Sequence, residues 1–275
     1  MKKLGLIAGS GELPAAVAAA AHSSGYTVFA VGLEPLADKS LSNHVDEITW
    51  VNVGKLGAML NALKKAGIKE AVMAGKVPKS LLFKSKITPD LRAMKLLFSL
   101  KDKRDDSIML AIAKELKKEG ITLLNTTDFS KGLMTPEGVL TTKEPTKEEW
   151  KDIAFGWKIA KEIGRLDIGQ TIIVKNQAVM AVEAIEGTDE AIKRGGTLAG
   201  GGAVVIKVSK PKQDLRFDVP VVGNSTLMAM LEVKARVLAV ESQKSILLNM
   251  EEMIKKADRA GISVLGYSAA GNPSD

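Results

Sequence analysis

The stretch KLGLIAGSGELP, residues 3–14, decides the fold of the first half of the chain. An uninterrupted apolar run ends in a turn with two glycines, which is typical of a buried strand that stops near Gly9. Pro14 follows where a helix can begin without losing a backbone hydrogen bond, and Gly25 is placed to end that helix. The stretch therefore predicts a strand, a tight turn and a helix in immediate succession.

The same alternation continues along the first half. The runs YTVFAVGL, EITWVNV, EAVMAGKV and ITLLNTT predict strands, and the runs KLGAMLNALKKAG, PDLRAMKLLFSLK and DDSIMLAIAKELKKEG have apolar residues at helical spacing. Strands that alternate with helices of about a dozen residues indicate βαβ units and a parallel sheet. We therefore predict that residues 1–133 form an α/β domain that is Rossmann-like, with a mainly parallel sheet.

A second α/β domain is predicted after a linker. Residues 134–149 are rich in proline, glycine, threonine and charge, which is typical of a linker. In residues 150–275, the segment QTIIVKNQAVMAVEAI predicts a β-hairpin that turns at Asn176 and Gln177. Because a hairpin pairs antiparallel strands, we expect the sheet of this domain to be mixed.

Composition excludes several kinds of site. The chain has no cysteine and only two histidines, His22 and His44, which rules out thiolate zinc and cysteine nucleophiles and argues against a histidine-rich metal site. A metal would be held by oxygen atoms, which suits Mg²⁺ or Mn²⁺. Aromatic residues make up 4% of the chain, which argues against single-stranded nucleic acid as a partner.

The formal charge of +7 favours an anionic partner, such as a nucleotide, a phosphate ester or an acidic lipid surface. The N-terminal residues lack the apolar run of a signal peptide, and no run of about 18 apolar residues occurs anywhere. We therefore expect a cytoplasmic protein that can contact a membrane face.

The turn Gly9-Ser10-Gly11 is a candidate phosphate-binding site. Glycines let the backbone approach a ligand, and the start of the following helix offers free amide groups and a positive dipole end. A dinucleotide fingerprint would have a third glycine where this chain has Pro14, although Glu34 stands where a ribose-binding acid is expected. NAD binding and a turn needed only for folding are the alternatives.

Lys76 and Arg104 are candidate phosphate contacts in the first half. Lys76 follows a predicted parallel strand, at the sheet edge where open α/β sheets bind ligands; the alternative is an ordinary surface lysine. Arg104 precedes Asp105 and Asp106 at a predicted helix start. One aspartate can cap the helix, while two beside an arginine can hold a divalent cation and a phosphate oxygen together.

A further group of polar residues lies in AVEAIEGTDE. Glu183, Glu186 and Asp189 are acids in a strand–turn–helix context, and Glu186 and Asp189 are candidate metal ligands. Thr188 is a candidate substrate contact. The alternative is structural, because Thr188 or Asp189 can cap the helix.

The segment KQDLRFDVPVVG, residues 212–223, places a charge at every second position from Lys212 to Asp218. On an extended chain these side chains share one face, which is either a solvated edge or the face that holds a charged ligand. Cleavage of a phosphoanhydride needs cations for the phosphate oxygens and a carboxylate that positions water or binds a metal. The segment and the residues just before it provide both: Lys207, Lys210, Lys212, Gln213, Asp214, Arg216 and Asp218.

Seven motifs in one order resemble those of the LpxI-type UDP-2,3-diacylglucosamine pyrophosphatases. They are LGLIAGSGELP, AGKV, RDDS, EIGRLDIGQ, AVEAIEGTDE, KPKQDLRFDVPVVG and AVES, and they extend from about residue 4 to about residue 267. The resemblance implies release of UMP and lipid X in lipid A synthesis, with attack of water on the β-phosphate. It also implies two α/β domains that hold the lipid substrate between them, a requirement for Mg²⁺ or Mn²⁺, and an essential aspartate at Asp218.

We assign the remaining roles on chemical grounds. Asp218 binds the activating metal or positions water; Asp105, Asp106, Asp189 and Glu186 are metal-ligand candidates; and Gly9, Ser10, Gly11, Lys76, Arg104, Thr188, Lys212, Gln213 and Arg216 are substrate-binding candidates. Two other functions stay open, an NAD(P)-linked oxidoreductase and a non-catalytic binder of nucleotide or acyl-sugar phosphates. We expect contact with the inner face of the inner membrane, and the sequence leaves open whether the protein is a homodimer.

Overall fold

The computed structural model describes residues 2–77, 88–100, 105–211, 214, 216 and 219–268, apart from the side chains of Asp105, Asp106 and Lys131. By their contacts, the residues divide into two units. Unit 1 comprises Met1–Lys131 and Asp214–Asp218, and unit 2 comprises Gly132–Gln213 and Val219–Asp275.

Unit 1 is built on a five-stranded sheet in which every pairing is parallel, with the order β3-β2-β1-β4-β5. Its strands are β1 (Lys2–Ala8), β2 (Tyr26–Glu34), β3 (Glu47–Asn52), β4 (Glu70–Ala74) and β5 (Thr122–Leu123). Its helices are α1 (Leu13–Ser23), α2 (Leu56–Lys65), α3 (Leu91–Ser99) and α4 (Asp105–Lys118). The prediction of a mainly parallel sheet is confirmed.

Aliphatic side chains pack the helices of unit 1 onto the sheet. Leu60 and Leu63 of α2 and Leu116 of α4 are fully buried in one cluster with Ile121, which precedes β5. Burial of each such side chain contributes about 1.5–3 kcal/mol to folding. An aliphatic core is what the low aromatic content predicts.

The strand order of unit 1 reverses beside β1. The chain adds β2 and β3 on one side of β1 and then crosses to the other side to form β4. Open α/β sheets bind ligands at such a reversal, in the crevice outside the carboxyl ends of the strands. The turns that follow β1 and β4 therefore frame the candidate site of unit 1.

Unit 2 contains a mixed six-stranded sheet with the order β6-β13-β11-β9-β7-β8. The strands are β6 (Gly138–Val139), β7 (Thr171–Lys175), β8 (Ala178–Val182), β9 (Val204–Lys207), β11 (Val237–Glu241) and β13 (Ser263–Tyr267). The helices are α5 (Lys147–Arg165), α6 (Thr188–Ala199), α7 (Asn224–Glu232) and α8 (Met250–Ala260). β9, β11 and β13 are parallel, whereas β6, β7 and β8 pair antiparallel, so the predicted mixed sheet is confirmed.

The predicted hairpin of unit 2 is also confirmed. β7 and β8 are antiparallel neighbours joined through Asn176 and Gln177, which have φ values of 52° and 54°. Asp152 of α5 accepts hydrogen bonds from the amides of both turn residues, at 2.9 and 2.6 Å. The buried carboxylate thus satisfies the amides of a left-handed turn, which fixes the register of the hairpin.

The extended conformation predicted over residues 212–218 is wrong at Asp214 and Arg216. Arg216 lies in a turn, and its amide donates to the Asp214 side chain at 3.1 Å. Aspartate side chains compete in this way with strand pairing. Among the described residues after Arg216, the next strand is β10 (Val221–Val222), which pairs in parallel with β12 (Ile246–Leu247) in a separate two-stranded sheet.

Candidate functional site

The turn after β1 and the turn after β4 are joined by four hydrogen bonds. The amides of Gly9 and Ser10 donate to the carbonyls of Ala74 and Lys76 at 2.8 and 3.0 Å. The Lys76 amide donates to the Ser10 carbonyl at 2.9 Å, and the Ser10 hydroxyl donates to the Lys76 carbonyl at 3.0 Å. The structure thus brings together Gly9, Ser10 and Lys76, three candidate phosphate contacts from separate parts of the sequence.

Two glycines permit this close approach. A Cβ atom on Gly9 would lie 2.6 Å from the carbonyl oxygen of Lys76. Gly75 has a φ of +91°, and a Cβ atom there would lie 2.7 Å from the carbonyl oxygen of Ser10. Both obstacles are backbone atoms, so any side chain at either position would force the turns apart.

The pairing leaves only part of the Gly-Ser-Gly turn free for a ligand. The amides of Gly9 and Ser10 are used, whereas the exposed Gly11 has no backbone hydrogen bond among the described residues. The side chain of Lys76 is exposed and forms no ion pair within that part of the chain. An amide and an ammonium group that face water at a sheet reversal can bind an anion.

Glu34, the candidate ribose-binding acid, is already paired. Its carboxylate lies 2.5 Å from the ammonium group of Lys39, which stacks on the Trp50 ring at 3.7 Å from the centroid. Pro14, in the place of the third glycine of a dinucleotide fingerprint, is buried in the first turn of α1. These contacts disfavour an NAD site here.

Arg216 lies next to β4 through its backbone. The Thr126 hydroxyl is 2.8 Å from the carbonyl oxygen of Met73 and 3.2 Å from that of Arg216. The Arg216 guanidinium donates to Asp214 through Nε at 2.9 Å and through a terminal nitrogen at 2.5 Å. Arg216 holds the pKa of Asp214 below its ordinary value, because these hydrogen bonds outweigh the effect of burial. Much of the charge of Arg216 is therefore offset by Asp214 in this structure.

A buried lysine organises the candidate residues of unit 2. Lys207, at the end of β9, is 2% exposed, and its ammonium group donates to the Thr188 hydroxyl at 3.0 Å and to the Val221 carbonyl at 2.9 Å. The Thr188 hydroxyl donates in turn to Glu183, at 2.9 Å. Thr188 therefore lies between a buried cation and a buried carboxylate, and its hydroxyl is engaged inside unit 2.

The two metal-ligand candidates of this region also have protein partners. Asp189 accepts a hydrogen bond from the Thr226 hydroxyl at 3.1 Å. Glu186 pairs with Arg194 at 2.5 Å; burial opposes ionisation of Glu186, but the Arg194 hydrogen bond and backbone amides lower its pKa overall. Neither Thr188 nor Asp189 caps α6, which was the structural alternative for them, because the N-cap is Gly187, without a side-chain hydrogen bond.

A second buried network holds the chain just after β9. Glu241, at the end of β11, accepts a hydrogen bond from the Ser209 amide at 2.7 Å and pairs with Lys161 of α5 at 2.9 Å. Lys161 also donates to the Ser209 carbonyl at 2.8 Å. Lys207 thus holds the chain at Val221, and Glu241 and Lys161 hold it at Ser209.

The donor atoms described do not form a metal site. No group of three or more histidine, cysteine, aspartate or glutamate side chains close enough to hold an ion occurs in the described part of the chain. The backbones of Asp105 and Asp106 lie in the first turn of α4, but their side chains are not described. Asp218, Arg104, Lys212 and Gln213 lie outside the described residues.

Sequence reasoning missed the roles of three residues. Lys207 and Glu241 each end an apolar strand, AVVIK and RVLAVE, and a charge directly after a buried parallel strand could have marked them. Thr126 has no comparable signal, because its contacts to Met73 and Arg216 are distant in sequence.

Among the described residues, no helix is both long and apolar enough to cross a bilayer.

Likenesses to solved structures are weak. A phosphoribosylglycinamide synthetase from Anaerococcus prevotii is 15% identical, with a TM-score of 0.28, over 70% of this chain and 34% of its own. A structure described as AtPrR2 in apo form is 9% identical, with a TM-score of 0.30, over 98% of this chain and 81% of its own. Neither supports an argument about function.

Sequence comparison is far more specific. A relative from Caulobacter vibrioides, named UDP-2,3-diacylglucosamine pyrophosphatase LpxI, is 33% identical over 284 residues, which cover 99% of this chain and all of the relative. Models of the LpxI N-terminal and C-terminal domains match residues 3–133 and 136–265. With both domain models matched in order and a full-length relative at this identity, the chain belongs to the LpxI family.

Proposed function

We propose that the protein hydrolyses the pyrophosphate bond of UDP-2,3-diacylglucosamine to UMP and 2,3-diacylglucosamine 1-phosphate, a step of lipid A synthesis. The match of both family domains and of a full-length relative carries this proposal. In the reaction, the oxygen of water bonds to one phosphorus atom as the bridging P–O bond breaks. Each product keeps one phosphate, and the hydrogens of water pass to the products or to solvent.

The reversal beside β1 supports binding of the anionic part of such a substrate. The exposed Gly11 and the exposed Lys76, which has no ion pair among the described residues, lie in turns joined by the Ser10–Lys76 hydrogen bonds. Cations and amides near a phosphoanhydride offset the charge that develops on its oxygens. We assign the diphosphate or the adjoining nucleotide to this edge of the sheet.

The proposed role of Asp218 rests on the resemblance, whereas those of the other residues rest on their chemistry. We propose Asp218 as the residue that positions water or binds the activating metal, and Arg104, Lys212 and Gln213 as phosphate contacts. Arg216 adds a cation that Asp214 keeps oriented. Thr188 supports the start of α6 from inside unit 2, and residues of both units contribute to substrate binding.

We also propose that the reaction requires Mg²⁺ or Mn²⁺. When bound, such an ion offsets charge on phosphate oxygens and orients the substrate. Asp105, Asp106 and Asp189 are the proposed ligands. Glu186 is the weaker candidate, because Arg194 already occupies its carboxylate.

The diacyl substrate is expected to reside in a bilayer, so the proposal includes transient contact with a membrane surface. The formal charge of +7 supports contact with an anionic one.

Mass spectrometry of the products tests the proposal. The protein is incubated with UDP-2,3-diacylglucosamine and Mn²⁺ in H₂¹⁸O, and we expect UMP and the acylated sugar 1-phosphate in equal amounts. Attack on the β-phosphate places ¹⁸O in the sugar phosphate, and attack on the α-phosphate places it in UMP. Thermal stabilisation by the substrate without product would identify a binder rather than a hydrolase.

A further inference from the structure

Helix α3 has an exposed stripe that mixes apolar and basic residues. Leu91, Lys95 and Phe98 recur at spacings of four and three, so they share one face of the helix. Leu91 is 73% and Phe98 is 88% exposed, whereas Leu96 on the opposite side is buried in the core of unit 1. An isolated exposed leucine is common, but a nearly fully exposed phenylalanine in line with it is not.

Helix α4 repeats the pattern. Leu110, Lys114 and Lys117 have the same spacing, and all three are exposed, Leu110 by 40%. A groove of about 700 Å³ is lined by residues of both helices, including Leu91, Leu100 and Ala111 on the apolar side and Lys95, Lys114 and Lys118 on the basic side. Leu91 and Lys95 of the first stripe and Lys114 of the second line this groove, so the stripes meet there. We call the two stripes and the groove the α3–α4 surface.

The acids near the α3–α4 surface are already neutralised. Glu115 pairs with Arg92 at 2.7 Å and with Lys118 at 2.5 Å. Glu119 pairs with Arg92 at 2.6 Å and with Lys64 at 2.6 Å.

Three cations of the surface have no counterion among the described residues. Lys95, Lys114 and Lys117 form no ion pair with any residue that the structure describes. The surface therefore has a surplus of positive charge around exposed apolar side chains, and its chemical complement is an anionic surface with an apolar interior.

We propose that the α3–α4 surface docks on an anionic lipid bilayer, with Phe98 and Leu91 inserted among the acyl chains and the three lysines at the headgroups. Amphipathic helices that lie in a membrane interface combine these features. The inference rests on the membrane contact in the proposed function, not on the hydrolytic reaction. It identifies the part of the molecule that reaches the membrane.

Flotation with lipid vesicles tests the docking surface. We expect the full chain to float with vesicles of phosphatidylglycerol and phosphatidylcholine, to float weakly with phosphatidylcholine alone, and to be released by high salt. A lysine near an anionic surface changes binding about fivefold. The double variant Lys95→Glu/Lys114→Glu and the single variant Phe98→Ser should therefore each weaken vesicle binding about tenfold or more.

The matched control is Lys151→Glu/Lys255→Glu, which reverses two exposed charges on α5 and α8. It should bind vesicles like the wild type. Equal loss in the control, or wild-type binding by the α3–α4 variants, would overturn the proposal. So would a change of oligomeric mass in Phe98→Ser with unchanged flotation, because the surface would then join two copies of the chain.

An activity measurement separates this proposal from the proposed reaction. The α3–α4 variants should hydrolyse detergent-dispersed substrate like the wild type but turn over vesicle-embedded substrate more slowly. If the wild type hydrolyses neither form, the proposed reaction fails, while flotation still decides the docking surface.

Discussion

The ammonium nitrogen of Lys207 lies 3.0 Å from the hydroxyl oxygen of Thr188, deep inside unit 2. The same nitrogen donates to the Val221 carbonyl, and Thr188 donates to Glu183. These contacts join the end of β9, the start of α6 and the start of β10. A buried ammonium group is stable only when hydrogen-bond partners of this kind replace water.

Replacing Lys207 with methionine should therefore be costly. The variant keeps an unbranched side chain, shorter by the terminal ammonium group, but leaves the Val221 carbonyl without this donor and Glu183 without the nearby cation. We expect the free energy of unfolding to fall by about 3 kcal/mol, as for a broken buried polar network. Urea denaturation measures the change, and Lys158→Met, at an exposed position, should change it by less than about 0.5 kcal/mol. Equal stability of the two variants would contradict a structural role for Lys207.

Alanine at Gly9 or Gly75 should damage both stability and activity. The added Cβ atom meets a backbone carbonyl at 2.6 or 2.7 Å, and Gly75 also has a left-handed φ. We expect a loss of at least about 2 kcal/mol in each variant, because no rotamer relieves a backbone clash. Thermal denaturation and product assays measure the effects. Gly132→Ala is the control, since nothing lies within 4 Å of its added Cβ atom; variants as active as this control would remove the turn pairing from the site.

Arg92 should contribute to stability in a pH-dependent way. Lys118 and then Arg92 hold the pKa of Glu115 below its ordinary value, and Lys64 and then Arg92 do the same for Glu119. A lowered folded-state pKa stabilises the protein above the unfolded value of about 4.3, and the effect is lost as the pH falls through the folded-state pKa. Arg92→Gln should thus lower the melting temperature by a few degrees at pH 7 and by less at pH 3.

The control for Arg92 is Arg165→Gln, which removes a pair whose side chains are 61% and 63% exposed. Exposed pairs contribute little to stability, so this variant should melt like the wild type at both pH values. An Arg92→Gln effect that is equally large at pH 3 would contradict the role of the two carboxylates.

Asp218→Asn should abolish release of UMP while leaving the melting temperature unchanged. Asparagine keeps the shape of the side chain but loses the charge that would position water or bind a metal. We expect a loss of at least about 100-fold in kcat, as for other residues that act only in the transition state. Near-normal turnover would remove Asp218 from the mechanism.

Chelation tests the proposed metal. EDTA should stop hydrolysis, and added Mn²⁺ or Mg²⁺ should restore it, because the ion offsets phosphate charge in the transition state. Full activity after extensive dialysis against EDTA would show that the cations of the protein suffice.

Local patterns predicted the elements far better than they predicted contacts between distant residues. The stretch from Leu4 to Pro14 specifies its own strand, turn and helix. By contrast, the hydrogen bonds between Ser10 and Lys76 depend on the order of the strands in the sheet. A short stretch of sequence does not show that order. The alternation of charges wrongly predicted an extended chain at Asp214 and Arg216. The Asp214 side chain accepts a hydrogen bond from the Arg216 amide, and such a bond competes with the extended conformation.

Asp214–Asp218 belong to unit 1 by their contacts, although they follow most of unit 2 in the sequence. This arrangement limits where the gene can be divided. If the chain were split after Lys131, residues 214–218 would be on the C-terminal fragment, although they contact unit 1. Recombination that exchanged one half of the gene between two relatives would likewise combine the N-terminal half of one protein with residues 214–218 of the other. Selection should therefore act on the halves of this gene jointly.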